Sequence, residues 1–185
     1  MMNKIIAVFS LLLCVGNASS QTIYKTDTSM VSFFSATPVE NIEAYNTAST
    51  SLINVAKKEI TFRVPISGFR FKESLMGEHF NENYMETEQF PYATFKGKLS
   101  DSLDISKDTI YNITATGMMN IHGQDRAEEY NGLMICMDGK ATLNCDFAVS
   151  LADYNIKVPK VVYENIAEVI EVKTFFRFIP YEKDK

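Results

Sequence analysis

Most of the chain alternates apolar and polar residues with a period of two. In "EITFRVPI", Ile60, Phe62, Val64 and Ile66 share one face, and Thr61 and Arg63 take the other. In "YNITATGMMNI", Tyr111, Ile113, Ala115, Gly117, Met119 and Ile121 stand against Asn112, Thr114 and Thr116. "KATLNCDFAVSL" sets Ala141, Leu143, Cys145, Phe147, Val149 and Leu151 against polar partners, and "VIEVKTFFRF" sets Ile170, Val172, Phe176 and Phe178 against Glu171, Lys173 and Arg177. Such alternation marks antiparallel strands with one buried and one wet face. It predicts eight to ten strands, near 22–26, 29–36, 41–48, 50–56, 59–66, 92–100, 109–121, 127–137, 140–150 and 166–179. Many short strands joined by turns make a sandwich or a barrel, and closure removes the exposed edges. The expected fold is all-β.

One stretch breaks this rhythm. From Lys72 to about Tyr84 the spacing predicts a short helix, with Leu75, Met76, His79, Phe80 and Asn83 within roughly 140° of one another. Pro91 marks the return to strand, where Ala93, Phe95, Gly97 and Leu99 alternate with Thr94, Lys96 and Lys98. The helix is expected to lie across one end of a barrel or sheet. Later, Asp138-Gly139 signals a two-residue hairpin turn. That turn sets Cys136 opposite Ala141 and leaves Cys145 about 13 Å further along the strand, beyond disulfide reach. Two free, buried thiols are expected.

Composition adds the compartment. Lys4, the apolar run "IIAVFSLLLCVG" and the small residues "NASSQ" have the layout of a secretory signal peptide over residues 1–20. Leu13 is too bulky for the position before a lipidated Cys14, so no lipid anchor is expected. One domain is expected over 22–180, with 181–185 a frayed tail, in the periplasm or secreted. No later segment approaches the ~20 apolar residues of a membrane helix. The formal charge of −5, with lysines scattered rather than striped, argues against nucleic acid and anionic membrane surfaces as partners.

The inward faces carry the candidate chemistry. Ala93, Gly97, Ala115, Gly117 and Ala141 are small where a closed core would want Val, Leu or Phe. An eight-stranded barrel is just wide enough to be filled by side chains or to hold one slim ligand. The small residues therefore open a cavity, or the glycines relieve crowding beside the phenylalanines. A cavity lined by Phe62, Phe71, Phe95, Ala115, Gly117, Met119, Phe147 and Phe176 would take something long and apolar. Leu75, Met76 and Phe80 would anchor the helix over its mouth. His79 and Asn83, one helical turn apart, would then bond a ligand's polar head or satisfy loop carbonyls. No metal is expected: His79 and Glu82 are spaced i, i+3, His122 is the only other histidine, and zinc needs three or four converging ligands. There is no Gly-x-Ser-x-Gly and no cysteine with an evident histidine partner, while His122 and Asp125 in "IHGQDR" say little of catalysis. No catalytic residue is expected.

"LMGEHFNENYMETEQFPYATFKGKL" resembles the segment that marks the YceI-like family of exported lipid-binding proteins, with its helical crossover, Tyr/Phe-Pro and x-A-T-F-K-G strand. "ITATGMMNIHGQDR" is similar to that family's Gly-x-Leu-Thr-Ile-His-Gly strand and turn, and "ADYNIKVP" to its Asp-Tyr-Gly-Ile-x-Pro. The resemblance runs over residues 22–179. It implies a lipocalin-like, eight-stranded antiparallel barrel whose lumen holds a polyisoprenoid, with no enzymatic activity and no cofactor besides such a lipid. Three places depart from the family pattern. "TDTSMVSF" keeps Asp27 and Ser29 but has no histidine, "NIEAYNTAST" replaces a Gly-x-Phe element, and Asn155 stands for a glycine. The reading is thus an exported carrier or store of an isoprenoid-like or other long-chain amphiphile. A filled-core barrel acting through protein contacts is the second reading, and a metal-assisted enzyme the third. The oligomeric state is left open, a dimer included.

Overall fold

The alternating stretches form ten strands, described over residues 23–159 and 164–182 in a computed structural model; the expected leader lies outside the described residues. They are β1 (Ile23–Ala36), β2 (Asn41–Asn46), β3 (Thr50–Asn54), β4 (Glu59–Pro65), β5 (Arg70–Phe71), β6 (Tyr92–Leu99), β7 (Thr109–Ile121), β8 (Gln124–Met137), β9 (Lys140–Ser150) and β10 (Val169–Pro180). Between β5 and β6 comes α1 (Ser74–His79), which runs on into a π-helical turn, Phe80–Tyr84. Eight strands close an antiparallel barrel in the order β1–β3–β4–β6–β7–β8–β9–β10, with β10 pairing back onto β1. β2 and β5 extend the wall beside the far half of β1.

The break in alternation near Asp27 is a bulge, not the gap between two strands that the pattern predicts. Thr26 faces Phe178 and Thr28 faces Arg177, so Asp27 is the extra residue. Arg177 holds it, donating from Nε to Asp27 Oδ2 at 2.7 Å and from Nη2 to Thr28 Oγ1 at 2.9 Å. The bulge shifts the phase of β1. Tyr24 is buried before it, and Ser29, Val31 and Ser35 are buried after it.

Two hairpins turn on pairs of residues with positive φ, His122-Gly123 (51° and 72°) and Asp138-Gly139 (51° and 69°). These are the primed turns whose twist matches the strands they join. As the second requires, Cys136 pairs with Ala141, and both cysteines are free, Cys136 buried and Cys145 half-buried. Burial, helped by Asp104 for Cys136 and Asp146 for Cys145, pushes both thiols up to about 11. They stay protonated at neutral pH and are poor nucleophiles.

The two ends of the barrel differ. Where β6 passes to β7, Leu103 and Ile105 pack among Ile53, Met134, Cys136 and Phe178 and close one end. At the other end α1, the π-helical turn and the short turns at Ile66–Gly68 and Ala152–Tyr154 form a roof. No helix among the described residues is long and apolar enough to cross a membrane.

Gly97 and Gly117 face each other across β6 and β7. A Cβ on Gly117 would stand 2.2 Å from Lys96 O and 2.4 Å from Gly97 Cα, while one on Gly97 would meet the Phe95 ring at 2.5 Å. Gly117 therefore allows a close strand approach and does not open the cavity, as its small size had suggested. Gly117→Ala should lower stability by about 1–3 kcal/mol, since backbone rather than a movable side chain is in the way. Urea unfolding of the two proteins checks this; equal midpoints would contradict the packing described.

Candidate ligand-binding site

Residues of β1, β4, β6, β7, β8, β9 and β10, seven of the eight barrel strands, surround a cavity of about 250 Å³. It runs along the lumen from Ile60, Ile113 and Leu143 to Ile121, Leu151 and Ile156 beneath the roof. The nine-residue span from Ile113 to Ile121 on tilted β7 corresponds to a length of about 20 Å. Among the described residues no charged side chain lines it. The inward residues with a polar side chain are Ser35, Tyr84, Tyr130, Thr174 and Cys145, which bring hydroxyls and one thiol.

Two aromatic groups shape the space. Lower down, a belt of rings follows the wall: Phe147 to Tyr130 at 4.6 Å, Tyr130 to Phe95 at 5.4 Å, Phe95 to Phe62 at 6.4 Å and Phe62 to Phe176 at 4.8 Å between centroids. Under the roof, Phe80 meets Phe33 at 5.5 Å, Phe69 at 5.6 Å and Phe71 at 5.0 Å. Tilted and offset contacts of this kind are worth about 0.5–1.5 kcal/mol beyond the area they bury. The upper group fixes the rotation of α1.

That rotation differs from the one the apolar spacing predicts. With Phe80 locked inward, Met76 and Tyr84 follow one turn to each side and line the cavity. Leu75 and His79 precede Met76 and Phe80 by one position and swing out, so that Leu75 is 60% exposed and His79 is exposed as well. Asn83 is exposed as well, because the helix widens into its π-helical turn, where Met85 N–H donates to Phe80 O at 2.9 Å. The working amide is instead Asn81, which donates to Gly77 O at 2.7 Å and accepts from Thr87 Oγ1 at 2.8 Å. Thus Phe62, Phe71, Met76, Phe80, Phe95, Ala115, Met119, Phe147 and Phe176 are brought together around the cavity, and Leu75, His79, Asn83 and Gly117 are not. Phe33 and Tyr130 were missed. The bulge hides the phase of Phe33, and Tyr130 sits in the polar run "AEEYNG".

His122 serves the roof. Buried in its turn, it places Nε2 2.8 Å from Glu86 Oε2 and Nδ1 3.3 Å from Tyr154 O, with Phe90 against its ring at 4.5 Å. It thereby joins the segment after the helix to the turn after β9. Asp125 turns elsewhere, accepting from Asn120 at 2.7 Å, so the two do not form a catalytic pair. Among the described residues no three His, Cys, Asp or Glu side chains gather as metal ligands.

A closed antiparallel barrel with a roofed apolar lumen defines a class of small-ligand-holding proteins. The chain belongs to the YceI-like domain family, whose model matches residues 23–178. Among solved structures, it is similar to a polyisoprenoid binding domain from Saccharophagus degradans implicated in plant cell wall breakdown, with TM-score 0.71 and 12% identity over 85% of this chain and 98% of that one. It is also similar to Burkholderia cenocepacia BcnA (0.66, 11% identity, 80% and 95% covered) and to the Campylobacter jejuni YCEI protein (0.53, 12% identity, 68% and 74% covered). At such identities these structures speak for the fold. No curated protein matches by sequence.

Phe80→Ala should remove the keystone of the roof and cost roughly 3 kcal/mol of stability, whereas His79→Ala should leave the unfolding transition in place. Thermal and denaturant melts of both variants check this. A His79→Ala loss as large as that of Phe80→Ala would contradict the observed rotation of α1.

Proposed function

We propose that the protein is an exported, non-catalytic carrier or store that encloses the chain of an isoprenoid-like or other long-chain amphiphile in its lumen. The observation that carries this reading is the uncharged, ring-belted cavity, open along roughly 20 Å of barrel rather than packed shut. The lumen favours an apolar chain for a simple energetic reason. About fifteen buried carbons at ~0.8 kcal/mol each supply roughly 12 kcal/mol, and after ~4 kcal/mol of lost freedom micromolar binding remains. With no charged side chain on the lining among the described residues, a charged head belongs outside, whereas a hydroxyl can meet Tyr84 or Ser35. The family and the Saccharophagus domain's description as polyisoprenoid binding support the same choice of ligand. Export is proposed from the leader-like start of the sequence.

Native mass spectrometry of protein purified gently from its own host should show one equivalent of a lipid-sized adduct. The protein stripped of lipid should take up one added polyprenol, and the spectrum should give a chain beginning near Gln21. An adduct-free mass with no uptake of added polyprenol would contradict the carrier reading.

A further inference from the structure

The wall of the barrel has a seam that backbone hydrogen bonds do not close. β8 and β9 are 14 and 11 residues long, yet they pair only from Leu133↔Asn144 to Met137↔Lys140. Beyond that fork β8 runs on to Gln124 paired with β7, and β9 runs on to Ser150 paired with β10. Gly132 stands at the fork, where a Cβ would come 2.9 Å from both Asn144 O and Leu143 Cδ1. A groove on the outer surface there, between Asn112, Asn131 and Asn144, shares Ile113, Gly132 and Cys145 with the lumen.

Side chains cover the seam in place of a ladder. The Tyr130 and Phe147 rings meet across it at 4.6 Å. Tyr154, just after β9, donates from its hydroxyl to Glu128 Oε1 on β8 at 3.4 Å. Burial and the neighbouring Glu128 push the Tyr154 phenol up to about 12, so it keeps the proton it donates. Arg126 on β8 reaches Asp153 Oδ1 at 3.4 Å, both about half exposed. Each contact parts by rotamer changes alone, and exposed ion pairs of this kind are weak. The roof is held differently. There Phe80 is wedged among three rings, and His122 bridges Glu86 and Tyr154.

Resting on the proposed function, we propose that the apolar chain passes in and out sideways between β8 and β9, with Arg126–Asp153, Glu128–Tyr154 and Tyr130–Phe147 as the latch. The roof stays in place while the latch parts, and no strand ladder is broken. The ring pair closes behind the chain and becomes part of its sleeve.

The test uses retinol, an isoprenoid alcohol whose fluorescence rises in an apolar sleeve, followed by stopped flow on the full mature protein. Glu129 and Ala148 face outward and fall opposite one another if the Leu133↔Asn144 register is continued. Glu129→Cys/Ala148→Cys, bridged by a short bis-maleimide, should bind and release retinol at least tenfold more slowly than the unbridged pair, with Kd within about twofold. Arg126→Ala/Tyr154→Phe should release it at least threefold faster, and this variant decides the matter if the bridge does not form. Unchanged rates in Arg126→Ala/Tyr154→Phe, or in the bridged protein, would overturn the door. Failure of the unmodified protein to take up retinol would instead overturn the binding reading, and the door with it.

Discussion

The structure depends on one long-range pairing, that of the first strand with the last. β1 and β10 meet over ten registered pairs, from Tyr24↔Pro180 to Phe34↔Glu171, and with them a curled sheet closes on itself as a barrel. The clasp at its bulge, Arg177 on Asp27 and Thr28, joins residues 150 positions apart. It also decides what β1 shows the lumen. Without the extra residue, the phase set by Tyr24 would carry on, turning Met30, Ser32 and Phe34 inward in place of Val31, Phe33 and Ser35. Phe33 is the partner that Phe80 stacks upon, at 25° between ring planes, so the roof inherits its position from the bulge.

Closure leaves a packing problem, and the chain solves it unevenly. Large side chains are fully buried towards the closed end, where Ile53, Met134 and Phe178 reach zero exposure. Further along, rings lie against the wall in pairs and chains, while Ala93, Ala115 and Gly132 leave room between them. A dry void of this size forfeits packing on the order of several kcal/mol, a sizeable share of the ~5–15 kcal/mol by which a domain is stable. In the proposed function the cargo restores those contacts, so the loaded barrel is the more stable one. The same logic assigns the seam between β8 and β9: a wall that must admit a chain is latched by side chains where it opens and by ladders elsewhere.

Much of this was legible in the sequence, because period-two alternation survives wherever one face is buried. It placed β4, β6, β7 and β9 nearly to the residue, and Asp138-Gly139 set the register that keeps Cys136 from Cys145. It failed where phase depends on distant partners. The bulge at Asp27 read as two strands, since only Arg177 on the last strand explains the slip. The α1 stripe read one position off, because Leu75 weighs as much as Phe80 in a helical wheel and only the Phe33–Phe69–Phe71 group chooses between them. Gly117 read as lumen because small residues look alike whether they make space for a ligand or for a neighbouring backbone. Most of the lining was visible as a pattern. The seam left no mark in it.

The central claim is that an apolar chain lies inside the barrel, and nuclear Overhauser contacts from a ¹³C-labelled polyprenol test it most directly. The outer wall offers a fair competitor, since Ile110, Leu133 and Met137 are 63%, 40% and 60% exposed on neighbouring strands. The account predicts contacts from the chain to the methyl groups of Ile60, Ile113, Met119 and Leu143, and none to Ile110, Leu133 or Met137. Contacts confined to the outer three would contradict it.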